Sequence, residues 1–589
     1  MEWVPRPEGA SMMPIRTAVL LATSLFLASS CGGGGSGGGG GDPIVLCLDC
    51  GGLGGQALLL CKIQNANRPG CDSPSGNAPP NAIDTFALTT PPVPGVPGSG
   101  GVFDVTVPDG TNVTALVPVF SVVGPPGAGV AVAGVLQTSG VTANNFTSPV
   151  TYSVVPVSGA TNRQVVTVTI APRTNVWTWV GGSNGVNQTG TYGSKGVAAA
   201  ANIPGARRDA VSWVDRSGQF WLFGGYGLDG AGSSWGLNDL WKFDGSRWTW
   251  MGGASTINQP GLYGTKNTAS SANVPGAREG AVSWADAGGR LWLFGGYGVD
   301  ASGAFGWLND LWNFDGTAWT WVSGSNTGNP AGLYGTIGVA AAGNVPEGRS
   351  GASAWLDTAG NFWVFGGAGV RGELGDLWKF DGTNWTWVGG PSTAGQGGIY
   401  GTRGTAAPTN APGARQKAAS WADASGRLWL FGGTGYAQPG RHGVLNDLWR
   451  FDGTNWTWFG GANVPDQPGV YGSSGVPAAT NIPGARKGAV TWVDATGSAW
   501  IFGGSGVDVN GAFGTLQRDL WKFDGTNWTW VGAPALAGGS GTYGASKLAI
   551  IAAPYGRSGG VAWRESSGKV WLFGGEKGNL LNDLMLYQP

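Results

Sequence analysis

The sequence predicts an all-β protein in which a small sandwich precedes a longer array of six four-stranded units. Three observations carry this. Of 589 residues, 112 are Gly and 32 are Trp while only 11% are charged, a mix suited to short strands joined by tight turns rather than to solvent-facing helices. The triplet Phe-Gly-Gly recurs at Phe223, Phe294, Phe365, Phe431, Phe502 and Phe573, a period of about 70 residues. Ahead of that array, 81–172 reads as short alternating strands punctuated by Gly, Pro and Asn. A chain this long exceeds one ordinary core, so two or more domains are expected. The formal net charge is −1 with no run of Lys or Arg, which leaves no electrostatic footprint for DNA or RNA.

At the N-terminus, Arg6 and Arg16 precede an apolar run at 18–28, too short to span a bilayer but suited to the core of a cleaved signal peptide. The sequence Leu27-Ala28-Ser29-Ser30-Cys31 resembles a bacterial lipobox, although Ala28 stands where Leu is more usual. The resemblance implies that Cys31 is acylated and becomes the mature N-terminus, the alternative being a plain secreted protein. Met12 or Met13 would then be the true start, with a short basic leader. Glycine fills 32–41 except for Ser36, a flexible tether of roughly 15–20 Å. The expected location is the bacterial cell envelope, lipid-anchored at the outer membrane or cell surface. Cys47, Cys50, Cys61 and Cys71 remain, an even number in an oxidising compartment, and two disulfides of open pairing are expected. A zinc site starting at Cys47-x-x-Cys50 is the weaker alternative, because Cys61 and Cys71 are widely spaced and no His is near. The boundaries are 1–30 signal peptide, 31–43 lipidated Cys and tether, 44–80 Cys-containing linker, 81–172 sandwich and 173–589 repeat array.

In the sandwich, Val102-Phe103-Asp104-Val105-Thr106-Val107 and Gln164-Val165-Val166-Thr167-Val168-Thr169-Ile170 alternate with period two. With Pro108-Asp109-Gly110-Thr111, Gln137-Thr138-Ser139-Gly140-Val141 and Ser148-Pro149-Val150-Thr151-Tyr152, the segment resembles the Ig-like modules that precede larger domains in bacterial envelope proteins. Each later unit holds an Arg followed by a short apolar strand ending in Trp (207–213 in the first), then Trp-x-Phe-Gly-Gly, Asp-Leu-Trp-x-Phe-Asp-Gly and Trp-Thr-Trp. Turns such as 215–218 and 381–384 carry the Gly and Asn that tight hairpins require, so strands one and two, and three and four, are antiparallel pairs. The last unit stops at Pro589 without its Trp-Thr-Trp, whereas an unpaired Trp177-Thr178-Trp179 stands before the first. Segment 177–182 is therefore expected to complete the last unit and close a ring.

Paired glycines, the aromatic strand and this closure resemble the kelch repeat and the galactose-oxidase-like propellers, over about 70% of the chain. The resemblance implies a six-bladed kelch-type β-propeller preceded by an Ig-like β-sandwich, with units longer than the usual ~50 residues. The excess lies mainly between strand four and the next strand one. Parity of the sheet puts the short one-to-two and three-to-four turns at one end of every blade and the long loops at the other. Rigid scaffolds carry function on such loops, and kelch propellers commonly bind partners there.

Features present in every unit are expected to serve the blade. Arg207, Arg278, Arg349, Arg415, Arg486 and Arg557 could ring the channel as an anion site, but pairing with Asp239, Asp310, Asp376, Asp447, Asp519 and Asp583 is the favoured reading. Tyr192, Tyr263, Tyr334, Tyr400, Tyr471 and Tyr543 are expected to pack the loops. Blade-specific candidates for ligand binding are Trp235, Phe305, Trp307, Tyr436, Arg441, His442 and Phe513, placed on two-to-three loops, where aromatics beside polar groups suit a sugar ring or a partner protein. Asp229, Asp300 and Asp508 are too isolated for a calcium loop. The copper chemistry of the related oxidases needs two His and a Cys-linked Tyr, whereas this chain has one His and no Cys after Cys71. No catalytic residue, cofactor or metal is expected. The function read from the sequence is a monomeric, non-catalytic envelope module that binds a glycan or surface protein. The alternatives are a metal-free sugar isomerase or mutarotase, as known among kelch-like propellers, and a structural spacer.

Overall fold

A strand of period two exposes alternate side chains on opposite faces, and a strand with large apolar residues on both faces must be covered on both. Trp221, Leu222 and Phe223 form such a run, and all three are buried. The computed structural model of the chain describes residues 82–97, 101–107, 111–124, 127–155, 161–170, 175–532, 541, 543, 549–550 and 554–589. The signal peptide, Cys31, the tether and the four further cysteines lie outside the described residues. The chain divides into two compact units, Met1–Arg173 and Thr174–Pro589. Among the described residues there is no α-helix, only a 3-10 turn at Val113–Ala115.

In the N-terminal unit, Ala82–Thr89 lies between Pro92–Pro94 and Pro118–Val123 in one sheet, and a second sheet of six strands runs through Val102–Val107, Asn162–Ile170 and Val150–Val155. Phe86 and Phe120 of the first sheet and Phe103, Tyr152 and Val166 of the second share one core. The pairing of Val102–Val107 with Asn162–Ile170 is parallel; the other ladders are antiparallel.

In the C-terminal unit each repeat is a four-stranded antiparallel blade. The first consists of Val211–Val214, Phe220–Leu228, Ser234–Phe243 and Trp248–Gly252, paired in that order. The second follows with Val282–Ala285, Leu291–Val299, Phe305–Phe314 and Trp319–Ser323. The third has Ser353–Leu356, Phe362–Phe365, Leu377–Phe380 and Trp385–Gly389, and the fourth Ala419–Ala422, Leu428–Gln438, Arg441–Phe451 and Trp456–Gly460. The fifth has Val490–Val493, Ala499–Phe502, Leu520–Phe523 and Trp528–Gly532. In the sixth, Val561–Arg564, Val570–Phe573 and Leu584–Gln588 are joined by Val176–Gly181, which pairs antiparallel with Leu584–Gln588 and sets Trp177 opposite Tyr587. First and last strands of the unit thus share one sheet. The first strands of successive blades touch one another around a closed circuit, the sixth meeting the first.

Aromatic faces glue the blades. One core cluster joins Trp213, Trp221 and Phe223 of blade one to Leu293, Trp312 and Trp319 of blade two, and another joins blade six to blade one through Trp563, Phe573, Phe220 and Trp248. Each buried indole removes about 200 Å² from water, an upper estimate of roughly 5 kcal/mol before entropy. The first Gly of each Phe-Gly-Gly lets the blades approach. A Cβ on Gly224 would lie 2.9 Å from the Arg278 carbonyl oxygen of the next blade and 3.0 Å from that of Leu237, and its φ of 65° favours a residue without one.

The expected unbroken first strand, 207–213, is instead two pieces, Arg207–Arg208 and Val211–Val214. The break falls at Asp209, whose φ is 52°, a left-handed conformation that no strand can continue through.

Candidate functional site

Arg207 and Arg208 are neighbours on an extended segment, so their side chains take opposite directions. Arg207 turns into the blade, where Nη1 and Nη2 donate to Asp239 Oδ1 and Oδ2 at 2.7 and 2.7 Å, with the two side chains 1% and 0% exposed. Tyr192 Oη and Trp241 Nε1 donate to the same Oδ2 at 2.8 and 2.7 Å. The five other blades repeat the bidentate Arg–Asp pair with the same Tyr and Trp donors; only the Trp position differs, being Met585 in blade six. Burial, with the adjacent Asp239 adding to it, pushes the Tyr192 phenol far above its ordinary value, so the tyrosine is a fixed donor. The recurring Arg and Tyr residues therefore staple each long loop to its blade, and the guanidinium groups do not face the channel.

The residues one and two places further on reach the axis. Asp209, Gly280, Gly351, Lys417, Gly488 and Gly559 form a closed circuit of six backbone hydrogen bonds, each N–H donating to the preceding carbonyl at 2.7–2.9 Å. All six have φ between 52° and 67°. Glycine tolerates this conformation; Asp209 and Lys417 are strained by it, at a cost of order 1 kcal/mol each. These two stand three blades apart, on opposite sides of the ring, and their side chains meet across it, Lys417 Nζ to Asp209 Oδ2 at 2.7 Å. Arg208 adds contacts to Asp209 at 2.8 Å, Glu576 at 3.2 Å and Glu279 at 3.4 Å. Burial holds the Glu279 carboxyl above the usual carboxylate range; Asp209 and Glu576 reinforce this while Arg208 and Lys417 oppose it. Burial alone would lower the Arg208 guanidinium, but Asp209, Glu279 and Glu576 outweigh it and hold the group above its ordinary value.

This charged floor belongs to the long-loop face, because Arg208 pairs in register with Tyr226 and Gly227 pairs with Trp235 at the end of strand two. From Arg208 a run of aromatics leads outwards. The guanidinium lies 4.8 Å from the Tyr226 ring centroid, Tyr226 packs edge-on to Trp235 at 5.3 Å, and Trp235 packs edge-on to Phe305 of blade two at 5.9 Å. Trp235 and Phe305 remain 39% and 43% exposed. Trp307 is half-buried and packs on Tyr297 at 5.1 Å. Beside this run, between blades six and one, a cleft of about 520 Å³ is lined by Asn187, Arg208, Tyr226, Glu576 and Asn579.

The sequence-derived candidates therefore fall into two groups. Trp235, Phe305 and Trp307 gather on blades one and two. Tyr436, Arg441 and His442 sit on blade four, across the ring, with Tyr436 edge-on to His442 at 4.9 Å and His442 Nε2 3.3 Å from Glu373 Oε1. Arg441 is at the exposed hairpin tip, opposite Gln438. Phe513 of blade five shares a cleft of about 330 Å³ with His442. Only Phe513 is on a loop; the other six lie on extensions of strands two and three, which continue past the blade in units one, two and four. A strand holds a side chain more rigidly than a loop. Asp229 and Asp300 shape the turns instead: Asp229 Oδ1 accepts from the N–H groups of Ala231 and Ser233 at 2.9 Å each, and Asp300 does the same for Ser302 and Ala304. Asp508 is equivalent, capping Asn510 and Ala512. Among the described residues no three His, Cys, Asp or Glu side chains gather as metal ligands.

Sequence reasoning missed Arg208, Asp209, Glu279, Lys417 and Glu576. A signal existed. Aligned on the recurring Arg, the next position reads Arg208, Glu279, Ser350, Gln416, Lys487 and Ser558, and the one after is Gly in all units but two.

The family model described as "KLHDC2/KLHL20/DRC7 Kelch-repeats domain" matches residues 336–469, across blades three and four. The model described as "SGBP, N-terminal" matches residues 84–170, most of the described sandwich. No curated protein matches. Among solved structures, "Structure of YjhT" aligns with 16% identity over 68% of this chain and 97% of that chain, with a TM-score of 0.38. With its own blades and the matched repeat model, the C-terminal unit is a β-propeller of the kelch type.

Proposed function

We propose that the chain is a non-catalytic cell-surface binding module that holds a glycan on the long-loop face of its propeller. The observation that carries this is the run Phe305, Trp235, Tyr226, Arg208, which ends at the charged floor of Glu279, Glu576, Asp209 and Lys417. A pyranose ring presents apolar C–H faces and a rim of hydroxyls. Half-exposed aromatics beside fixed carboxylates and a guanidinium offer stacking for the first and hydrogen bonds for the second. The matched SGBP model names surface glycan-binding proteins, which supports the same reading and a place on the cell surface. Acylated Cys31 would supply the anchor. The test is affinity electrophoresis of the full chain through gels cast with a panel of polysaccharides. The double substitution Trp235→Ala and Phe305→Ala should weaken binding about tenfold or more while the circular dichroism spectrum is unchanged. Undiminished retardation of the variant would remove these residues from the site.

One observation favours a second reading, a metal-free sugar isomerase. Glu279 combines a raised carboxyl pKa with a neighbouring guanidinium, which is the equipment of a general acid. Anomer exchange followed by NMR over a panel of free sugars would be accelerated by the wild type and not by Glu279→Gln. No acceleration on any sugar excludes this chemistry.

A further inference from the structure

The residue after the recurring Arg directly precedes the axial backbone circuit in every blade. Its charged members differ in one respect. Arg208 has three carboxylate partners and Glu279 has Arg208. Even the neutral members Gln416 and Ser558 bond to Glu373 and Glu576, both at 3.3 Å. Lys487, in blade five, forms no ion pair among the described residues and is only partly exposed. An ammonium at a cleft wall with no carboxylate already on it is free to take an anionic ligand.

Lys487 opens into the cleft of about 330 Å³ between blades four and five. The other contributors are complementary in kind. Phe513 overhangs it with 64% of its surface exposed. Thr434, Ser505 and His442 line it; the Thr434 hydroxyl donates to the Gly443 carbonyl at 3.3 Å and keeps its lone pairs for a ligand. The one carboxylate in the lining, Asp466, is engaged by the Val444 N–H at 2.8 Å and forms no salt bridge with Lys487. Its second oxygen is left to accept from a hydroxyl. An ammonium for an anion, hydroxyls and a carboxylate for sugar hydroxyls, and an exposed ring for a C–H face together describe one kind of ligand.

We propose that this cleft binds an anionic sugar, a pyranose bearing a carboxylate or a sulfate ester, with the anion on Lys487 Nζ and the ring against Phe513. The inference rests on the glycan reading above and adds a second contact point, three blades round the ring from the Trp235 run. A polymer bridging both would need an acidic residue at one position and none at the other.

The test uses saturation-transfer NMR on the full chain with three probes: methyl glucuronide, glucose 6-sulfate and methyl glucoside. Both anionic probes should bind about tenfold or more tightly than the neutral one, the size of a single hydrogen bond to a charged group. Lys487→Met should abolish that preference and Lys487→Arg should retain it. Binding of the glucuronide alone would place a carboxylate there, and of the sulfate alone a sulfate ester; either supports the site. Equal binding of charged and neutral probes, a preference that survives Lys487→Met, or no binding of any probe overturns it. The last result stands apart from failure of the glycan reading, which is scored on polysaccharide gels with the Trp235 and Phe305 substitutions.

Discussion

Asp447 offers the sharpest test of how the blades are held. It is fully buried and accepts four hydrogen bonds: Arg415 Nη1 at 2.6 Å on Oδ1, and Arg415 Nη2, Tyr400 Oη and Trp449 Nε1 at 2.8, 2.8 and 2.7 Å on Oδ2. Asp447→Asn keeps the shape and removes the charge. If the amide oxygen takes the position that serves three donors, its NH2 group must face Arg415 Nη1, donor against donor. A guanidinium that is 1% exposed is then uncompensated, and breaking a buried pair in this way costs about 3–5 kcal/mol. Replacing both partners, Arg415→Leu with Asp447→Leu, removes the stranded charge. It leaves the Tyr400 hydroxyl and the Trp449 indole without their acceptor, and the Gly413 and Gly432 carbonyls without the Arg415 donors that reach them at 2.9 and 3.0 Å, each costing about 1–3 kcal/mol at most. Arg415→Leu and Asp447→Leu made singly each strand the partner's charge, so the double variant should lose clearly less than the sum of the two single losses. Urea unfolding followed by tryptophan fluorescence reads both. A loss below about 1 kcal/mol for Asp447→Asn, or a double-variant loss equal to the sum of the two Leu singles, would refute the argument that the pair is a desolvated staple.

Acid should attack the same staples. At Asp376 and Asp519 burial raises the carboxyl pKa, but Arg349 and Arg486 outweigh it and hold both below the ordinary carboxylate range. A folded-state pKa below the unfolded one contributes stability that is complete above that value and lost as pH falls through the depressed one. The melting temperature should accordingly hold its plateau down to about pH 4 and fall below it; a decline already under way at pH 6 would assign acid sensitivity elsewhere. At the axis, Gly280→Ala puts a Cβ 3.1 Å from the Gly351 nitrogen at a φ of 64°, with an expected loss of about 1–2 kcal/mol. The same change at Gly252, where the nearest atom is 3.8 Å away, should cost less than half as much in the same urea titration.

Much of the blade was legible because its determinants are local. Phe-Gly-Gly, Trp-Thr-Trp and the hairpin turns each act within a few residues, and six copies make the pattern unmistakable. The Arg–Asp pairing was also readable, since 26 to 33 residues separate the partners in every unit and both recur equally often. The candidate site was legible in part. Trp235, Phe305 and Trp307 stand out as departures from the repeat, but their placement on loops was wrong, because the extra length in units one, two and four is taken up by longer strands.

Periodicity and residue type thus decide the number of blades, the strands in each and the partner of every buried arginine, all of which depend on contacts inside one repeat. The ring's closure decides the rest. Asp209 and Lys417 are 208 residues apart and meet because six wedge-like blades return the chain to its own axis. There, two side chains in a circuit otherwise of glycine span the gap. Trp235 finds Phe305, and Lys487 is left without a counter-charge among the described residues, for the same reason: these relations lie between blades, and no period in the sequence encodes the angle at which one blade faces the next.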